Sequence, residues 1–158
     1  MADFIQLKKD NILKIGIKDA EGKETGEFLE FDLEDVELAL RLNECDSRHR
    51  KNIEYLKTQN LIIDKKEDKK GKFLLSWKEE EKLKLLKEFY KREEEALDLF
   101  LGVGGTRKIL NGRNLYFSMF DDIVELLEPI MPLIQVRSED IINKVKQKYS
   151  KQTGDVLK

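Results

Sequence analysis

Four groups of residues in this chain have types and spacings that invite chemistry. Gly102, Gly104 and Gly105 form a cluster that would let backbone amides approach a phosphate at a helix start. The order of the glycines matches neither the dinucleotide fingerprint nor a phosphate loop. Lys108 lies too far along to serve as the phosphate lysine, and the preceding segment reads as a helix rather than a buried strand. A turn that ends a helix is the better reading. Cys45 and His49, four apart on one helical face, have the spacing of a metal-ligand pair. They are the only cysteine and the only histidine, so two ligands exhaust the set, and a packed histidine with one hydrogen bond is preferred. The carboxylates Asp121, Asp122, Glu125 and Glu128 would suit magnesium or paired acid chemistry, but Asp122, Glu125 and Glu128 share one face opposite Phe120 and Val124, as a solvated helix face does. Arg48, Arg50 and Lys51, with Lys65 to Lys72 as a wing, outline a helix-turn-helix in which acids interrupt the basic run. No nucleophile elbow or histidine pair accompanies these groups, so an enzyme is not expected, and neither a metal nor a cofactor.

The apolar residues carry more information. From Leu97 to Leu133 they outnumber what a small core needs, and between Leu115 and Glu128 they occupy nearly every direction except the Asp122 face. A helix apolar over so wide an arc is central in a core or faces a partner. The partner reading assigns the surface to Phe100, Leu101, Tyr116, Phe117, Phe120, Ile123 and Leu127. Four such side chains, at about 1.5 to 3 kcal/mol each, would leave reversible binding of about micromolar strength after association costs.

The elements that must position these residues follow from periodicity. Ile12 to Ile17 and Glu27 to Phe31 flank a turn containing Gly22 and Gly26, which predicts an antiparallel hairpin over 11–31; Phe4, Ile5 and Leu7 would add an edge strand. Asp32 followed by Glu34 and Asp35 reads as a helix start. The stripe Leu38, Leu42, Cys45, His49, Ile53 and Leu56 carries that helix to about Gln59, with room for a break between Asn43 and Arg50 and a buried exit at Leu61 to Ile63. The run from Asp64 to Lys72 is too charged for a core and predicts an exposed loop. Ser76 and Glu79 form a capping box before a helix from Trp77 to about Leu101, striped by Leu83, Leu86, Tyr90, Glu93, Leu97 and Phe100, and widened by Leu85, Phe89, Ala96 and Leu99. Thr106 would cap a short helix to Leu110. Another helix is expected from Leu115 to Glu128, stopped by Pro129 and Pro132, and a last one from Ser138 to about Tyr149.

The expected fold class is therefore α+β, mainly α-helical: an N-terminal antiparallel β-hairpin followed by a bundle of four to five helices. It forms one domain over 1–150, with the helical part over 32–150 and a flexible tail at 151–158. Composition alone assigns no function. Of 158 residues, 39% are charged, yet 30 Lys and Arg nearly balance 32 Asp and Glu, which argues against a general nucleic-acid binder. No apolar run approaches a membrane span and no secretory core opens the chain, so a cytoplasmic protein is expected, without a membrane or small-molecule partner. A single cysteine fits a reducing compartment.

Several stretches resemble the tail assembly chaperones of long-tailed bacteriophages and prophages. These are Gly26-Glu27-Phe28-Leu29-Glu30-Phe31-Asp32, Glu88-Phe89-Tyr90-Lys91-Arg92-Glu93, Ala96-Leu97-Asp98-Leu99-Phe100-Leu101-Gly102, Gly104-Gly105-Thr106, Asn111-Gly112-Arg113, and Tyr116-Phe117-Ser118-Met119-Phe120-Asp121-Asp122-Ile123 closed by Glu128-Pro129. The likeness covers about Ile12 to Leu133. The resemblance implies a small, mainly helical protein of the bacterial host cytoplasm that binds the tape measure protein and covers its apolar stripes until tail tube subunits replace it. It also implies self-association and absence from the mature virion. The alternatives are a structural tail or head-to-tail connector subunit and, further off, a small DNA-binding regulator.

Overall fold

The computed structural model describes residues 3–7 and 10–153, and side-chain surroundings as far as residue 150. The architecture is α+β and mainly helical: a two-stranded antiparallel hairpin followed by five helices. Strands β1 (Ile12–Lys18) and β2 (Glu24–Asp32) pair with Ile12 opposite Asp32 and Ile15 opposite Leu29, with an irregularity between Gly16 and Lys18. The Asp19 carboxylate builds the turn by accepting from the amides of Glu21 and Lys23. Alternation along the strands turns Ile17, Leu29 and Phe31 into the core and leaves Lys14, Phe28 and Glu30 on the other face. Phe4, Ile5 and Leu7 form no edge strand; all three are exposed.

Helix α1 (Glu37–Asp64) begins four residues later than an N-cap at Asp32 implied. Asp32 instead closes a turn by accepting from the Glu34 amide, and Asp35 accepts from the Glu37 amide while pairing with Arg41 at 2.6 Å. The helix runs unbroken through Asn43 to Arg50 and continues past Gln59, so Leu61 and Ile62 lie on its last turn, exposed rather than buried. Helix α2 (Trp77–Leu101) has the full capping box: Ser76 Oγ accepts from the Glu79 amide, and Glu79 Oε1 accepts from the Ser76 amide. Its buried residues are Glu93, Leu97 and Phe100 of the expected stripe, Leu85, Phe89 and Ala96 of its widening, and Leu101, whereas Leu83 is exposed.

Gly102, at φ 91°, ends α2, and the chain turns at once into α3 (Gly105–Leu110). The expected cap Thr106 lies inside this helix, wholly buried. The cap comes from α2: Asp98 Oδ1 accepts from both the amide (2.9 Å) and the hydroxyl (2.7 Å) of Thr106, and Oδ2 from the Gly104 amide. Gly105 sits so close to the Leu101 side chain that a Cβ there would collide with it. Helix α4 (Met119–Leu127) starts four residues later than expected, because Leu115 to Ser118 form the turn before it.

Helix α5 (Met131–Thr153) starts seven residues before Ser138. Pro132 does not stop a helix here but occupies the first turn of one, where its missing N–H costs nothing. Ser138 is interior, its hydroxyl donating to the Ile134 carbonyl. Helix backbone reaches Thr153, so the first part of the expected flexible tail is helical; 154–158 lie outside the described residues. The core joins the inward face of the hairpin, Leu38 and Cys45 of α1, the end of α2, and α3, α4 and Ile134 of α5.

Replacing Asp98 by Ala leaves the buried Thr106 amide and hydroxyl without acceptors. Urea unfolding is expected to show a loss of about 1 to 3 kcal/mol, with Asp98→Asn intermediate. An unchanged midpoint for Asp98→Ala would show that this carboxylate does not hold the α2–α3 turn.

Candidate functional site

The seven residues expected to face a partner are not one surface. Phe100, Leu101, Phe120, Ile123 and Leu127 are buried, and of the five only Ile123 and Leu127 reach the wall of a cleft. Phe100 stacks on Phe31 of β2 with ring centroids 5.0 Å apart. The reason is geometric: α4 is only nine residues long and its apolar arc closes onto the core already formed by the hairpin and the end of α2. Tyr116 is half-buried, donating its hydroxyl to Asp122 at 2.8 Å, and the Arg113 guanidinium lies 3.9 Å from its ring centre. Burial and then the Asp122 carboxylate push the Tyr116 phenol above its usual range. Phe117 alone is exposed, because it precedes α4 and escapes the helical period.

The sequence set His49 and Glu93 on apolar stripes of two different helices, and the fold brings them together. Nδ1 of His49 lies 2.6 Å from Oε2 of Glu93, and the Asn52 amide donates to Oε1 at 2.8 Å. Glu93 is 2% exposed and Asn52 7%, so the carboxylate holds its two partners almost wholly out of water. His49 stacks flat on Phe120, centroids 3.7 Å apart and planes 3° from parallel. Cys45, one turn earlier on α1, is buried; burial, followed by the nearby charges of Glu93 and Asp46, pushes its thiol up to about 12. His49 is thus the packed residue with a hydrogen bond that its place on the stripe suggested. Among the described residues no three His, Cys, Asp or Glu side chains converge on a metal position.

The other chemical motifs resolve as structure. Gly102 and Gly104 take positive φ in the α2–α3 turn. Asp121, Asp122, Glu125 and Glu128 lie exposed along α4, with Asp122 also accepting from Ser118. Arg48 and Arg50 pair with Glu44 and Asp46 one turn back on continuous helix, which rules out a helix-turn-helix at that segment.

Among its open clefts the fold has a groove of about 420 Å³ between the hairpin and the α3–α4 layer. Ile15, Ile17, Ile109, Leu126, Leu127 and Ile130 line it. Leu126 stands at its rim, 67% exposed. A second cleft shares Ile109 and Leu126 and adds Asp19, Arg113, Tyr116 and Asp122, so an apolar trough passes into a polar one. Sequence reasoning missed Leu126 as a site residue. The available signal was its position beside Glu125 on the solvated side of α4, where an apolar residue has no core to reach. No protein-family model, curated protein or solved structure matches the chain. Among the described residues no helix is long and apolar enough to cross a membrane.

Two outcomes are expected. Glu93→Ala strands His49 and Asn52 in the core and should cost about 3 to 5 kcal/mol in chemical denaturation, with Glu93→Gln costing less; equal stability of Glu93→Ala and the parent would contradict the clamp. Cys45 should react with iodoacetamide at about pH 8 at least about a hundredfold more slowly in the folded protein than in urea. Because its folded pKa is raised from 9.0 to about 12, its contribution to stability is complete below pH 9 and is lost as pH climbs towards 12. A Cys45→Ala variant should lose less stability than the parent across that alkaline window.

Proposed function

We propose that this chain is a non-enzymatic tail assembly chaperone of a long-tailed bacteriophage or prophage. It would hold an apolar helical segment of the tape measure protein in the bacterial host cytoplasm until tail tube subunits replace it. The resemblance of Ile12 to Leu133 supplies the family. The observation that carries the reading on this chain is the groove between the hairpin and α4, with Leu126 at its rim. A groove of isoleucine and leucine side chains, open along one side, suits the apolar stripe of a partner helix, which binds through anchors three and four residues apart.

The energetics suit temporary holding. Covering two or three of the rim side chains gives about 3 to 9 kcal/mol of gross gain, which association costs reduce to weak, reversible binding. A chaperone that must surrender its client to tube subunits needs that weakness. Dense, nearly balanced surface charge keeps the unloaded protein in solution. Self-association and absence from the finished particle belong to the same reading.

The test compares two variants in a tagged pull-down from phage-producing cells, with DNA digested and co-purifying proteins identified by mass spectrometry. The parent should recover a long, helix-rich tape measure protein. Leu126→Asp should lose it at least about tenfold while keeping its far-ultraviolet circular dichroism, since that side chain is exposed. Phe120→Asp should unfold, as a charge against His49 in the core cannot be accommodated. Recovery of the same partner by the parent and by Leu126→Asp would refute the groove, and a parent that recovers no tape measure protein would refute the chaperone reading.

A further inference from the structure

The α1–α2 hairpin is an arm. The core cluster takes nothing from α1 beyond Cys45 and nothing from α2 before Ala96. From Ile53 to Asp64 the arm runs on for about 18 Å along the helix axis, and no residue of that stretch is fully buried. At its end the connecting loop, 65–76, has a defined shape. Asp68 Oδ1 accepts from the amides of Lys69 (2.8 Å) and Lys78 (2.9 Å), and the Trp77 amide donates to the Lys69 carbonyl at 2.9 Å. Lys78 Nζ and Lys82 Nζ fasten Asp64, through its carbonyl at 2.9 Å and its carboxylate at 2.5 Å. Gly71 packs against the Leu75 carbonyl so closely that no Cβ could be placed there.

Two acids, Asp64 and Asp68, are thereby engaged in holding the loop, and apart from Glu67 the remaining exposed side chains from 65 to 74 are basic or apolar. Lys65, Lys66, Lys69, Lys70 and Lys72 are exposed. Phe73 is 98% exposed and Leu74 81%, with Leu61 and Ile62 also exposed on the adjoining last turn of α1. Trp77 lies beneath, with the ammonium groups of Lys66 and Lys69 5.8 and 5.9 Å from its ring centre. An aromatic and an aliphatic side chain at full exposure on a built loop are not explained by folding, since they contribute nothing to the core.

We infer that the tip of this arm docks on an anionic lipid bilayer, with Phe73 and Leu74 entering the interface and the five lysines meeting lipid phosphates. The loop borders an open cleft of about 550 Å³ between Lys69, Trp77 and Glu80, and Phe73 and Leu74 stand at its edge almost wholly exposed. A nucleic acid would satisfy the lysines, but it offers no place for Leu61, Ile62 and Leu74, because aliphatic side chains do not stack on bases. A bilayer interface takes both kinds of group at once, apolar side chains among the acyl chains and lysines at a negatively charged surface. Peripheral docking needs no spanning helix, so the sequence expectation of no membrane partner, which rested on the lack of such a span, does not bear on it. The inference stands on the arm alone and is independent of the groove and its client.

The test uses the full chain with sedimented vesicles of equimolar phosphatidylglycerol and phosphatidylcholine, against vesicles of phosphatidylcholine only. Trp77, the single tryptophan, reports docking by its emission. The expected result is co-sedimentation with the anionic vesicles alone, a blue shift of Trp77 emission, and release by salt. The double variants Phe73→Ser with Leu74→Ser, and Lys70→Glu with Lys72→Glu, should each lower partitioning at least about tenfold. Both change only exposed positions, and circular dichroism of each checks that the arm is intact. Gly71→Ala keeps every charge and apolar group but not the loop's shape, and should also weaken docking. Failure to bind the anionic vesicles, equal binding to both vesicle types, or undiminished binding by both double variants would overturn the inference. Retention on duplex DNA without vesicle binding would overturn it in favour of a nucleic-acid tip.

Discussion

The Glu93 carboxylate, buried where α1, α2 and α4 meet, is the constraint around which this fold is arranged. A carboxylate in that position is tolerable only if hydrogen-bonding partners are supplied from the facing elements. His49 and Asn52 supply them from successive turns of α1, so the two long helices can associate in one register only. His49 then presents a flat ring to Phe120, which draws α4 onto the same junction and closes the core over Phe100, Ile123 and Leu127. Buried polar groups of this kind confer specificity of packing more readily than stability.

That closure decides where the molecule can meet other molecules. The segment richest in apolar residues, Leu97 to Leu127, is largely used up by the core, and Val103, Phe117 and Leu126 are its exposed apolar members. Leu126 then completes the groove against the hairpin rather than heading a patch of its own. At the other extreme of the fold, the same two helices that Glu93 locks together extend away from the core and carry the basic, apolar loop on their end. The groove at the hairpin and the basic, apolar loop at the far end of the arm are thus separate accessible regions of different chemistry.

Much of the fold was legible in the sequence where a local rule operates on a few residues. Alternation marked β1 and β2, the Ser76–Glu79 pair marked the start of α2 to the residue, and the glycines marked its end. Signals shared by two structures misled. Pro132 is as compatible with the first turn of a helix as with the end of one, and Ser138 as compatible with an interior hydroxyl as with a cap. Asp32 and Asp35 both have capping chemistry, and only the placement of the hairpin selects a turn between them. The candidate site was less legible still. A wide apolar arc on a short helix announces burial or binding without distinguishing them, and the decision lay in Glu93 and His49, forty-four residues apart and unremarkable until paired.

Hydrogen exchange followed by mass spectrometry tests the central claim most directly, that the apolar segment of α2 and α4 is a closed core and not an open binding surface. Amides of Glu93 to Leu101 and of Phe120 to Leu127 should exchange slowest in the free protein. Those of the loop from Lys65 to Leu75 and of α5 beyond Ile142 should exchange fastest, since few packed contacts protect them. Rapid exchange throughout Phe120 to Leu127, as fast as in the loop, would mean that α4 is not held against His49 and would contradict the account.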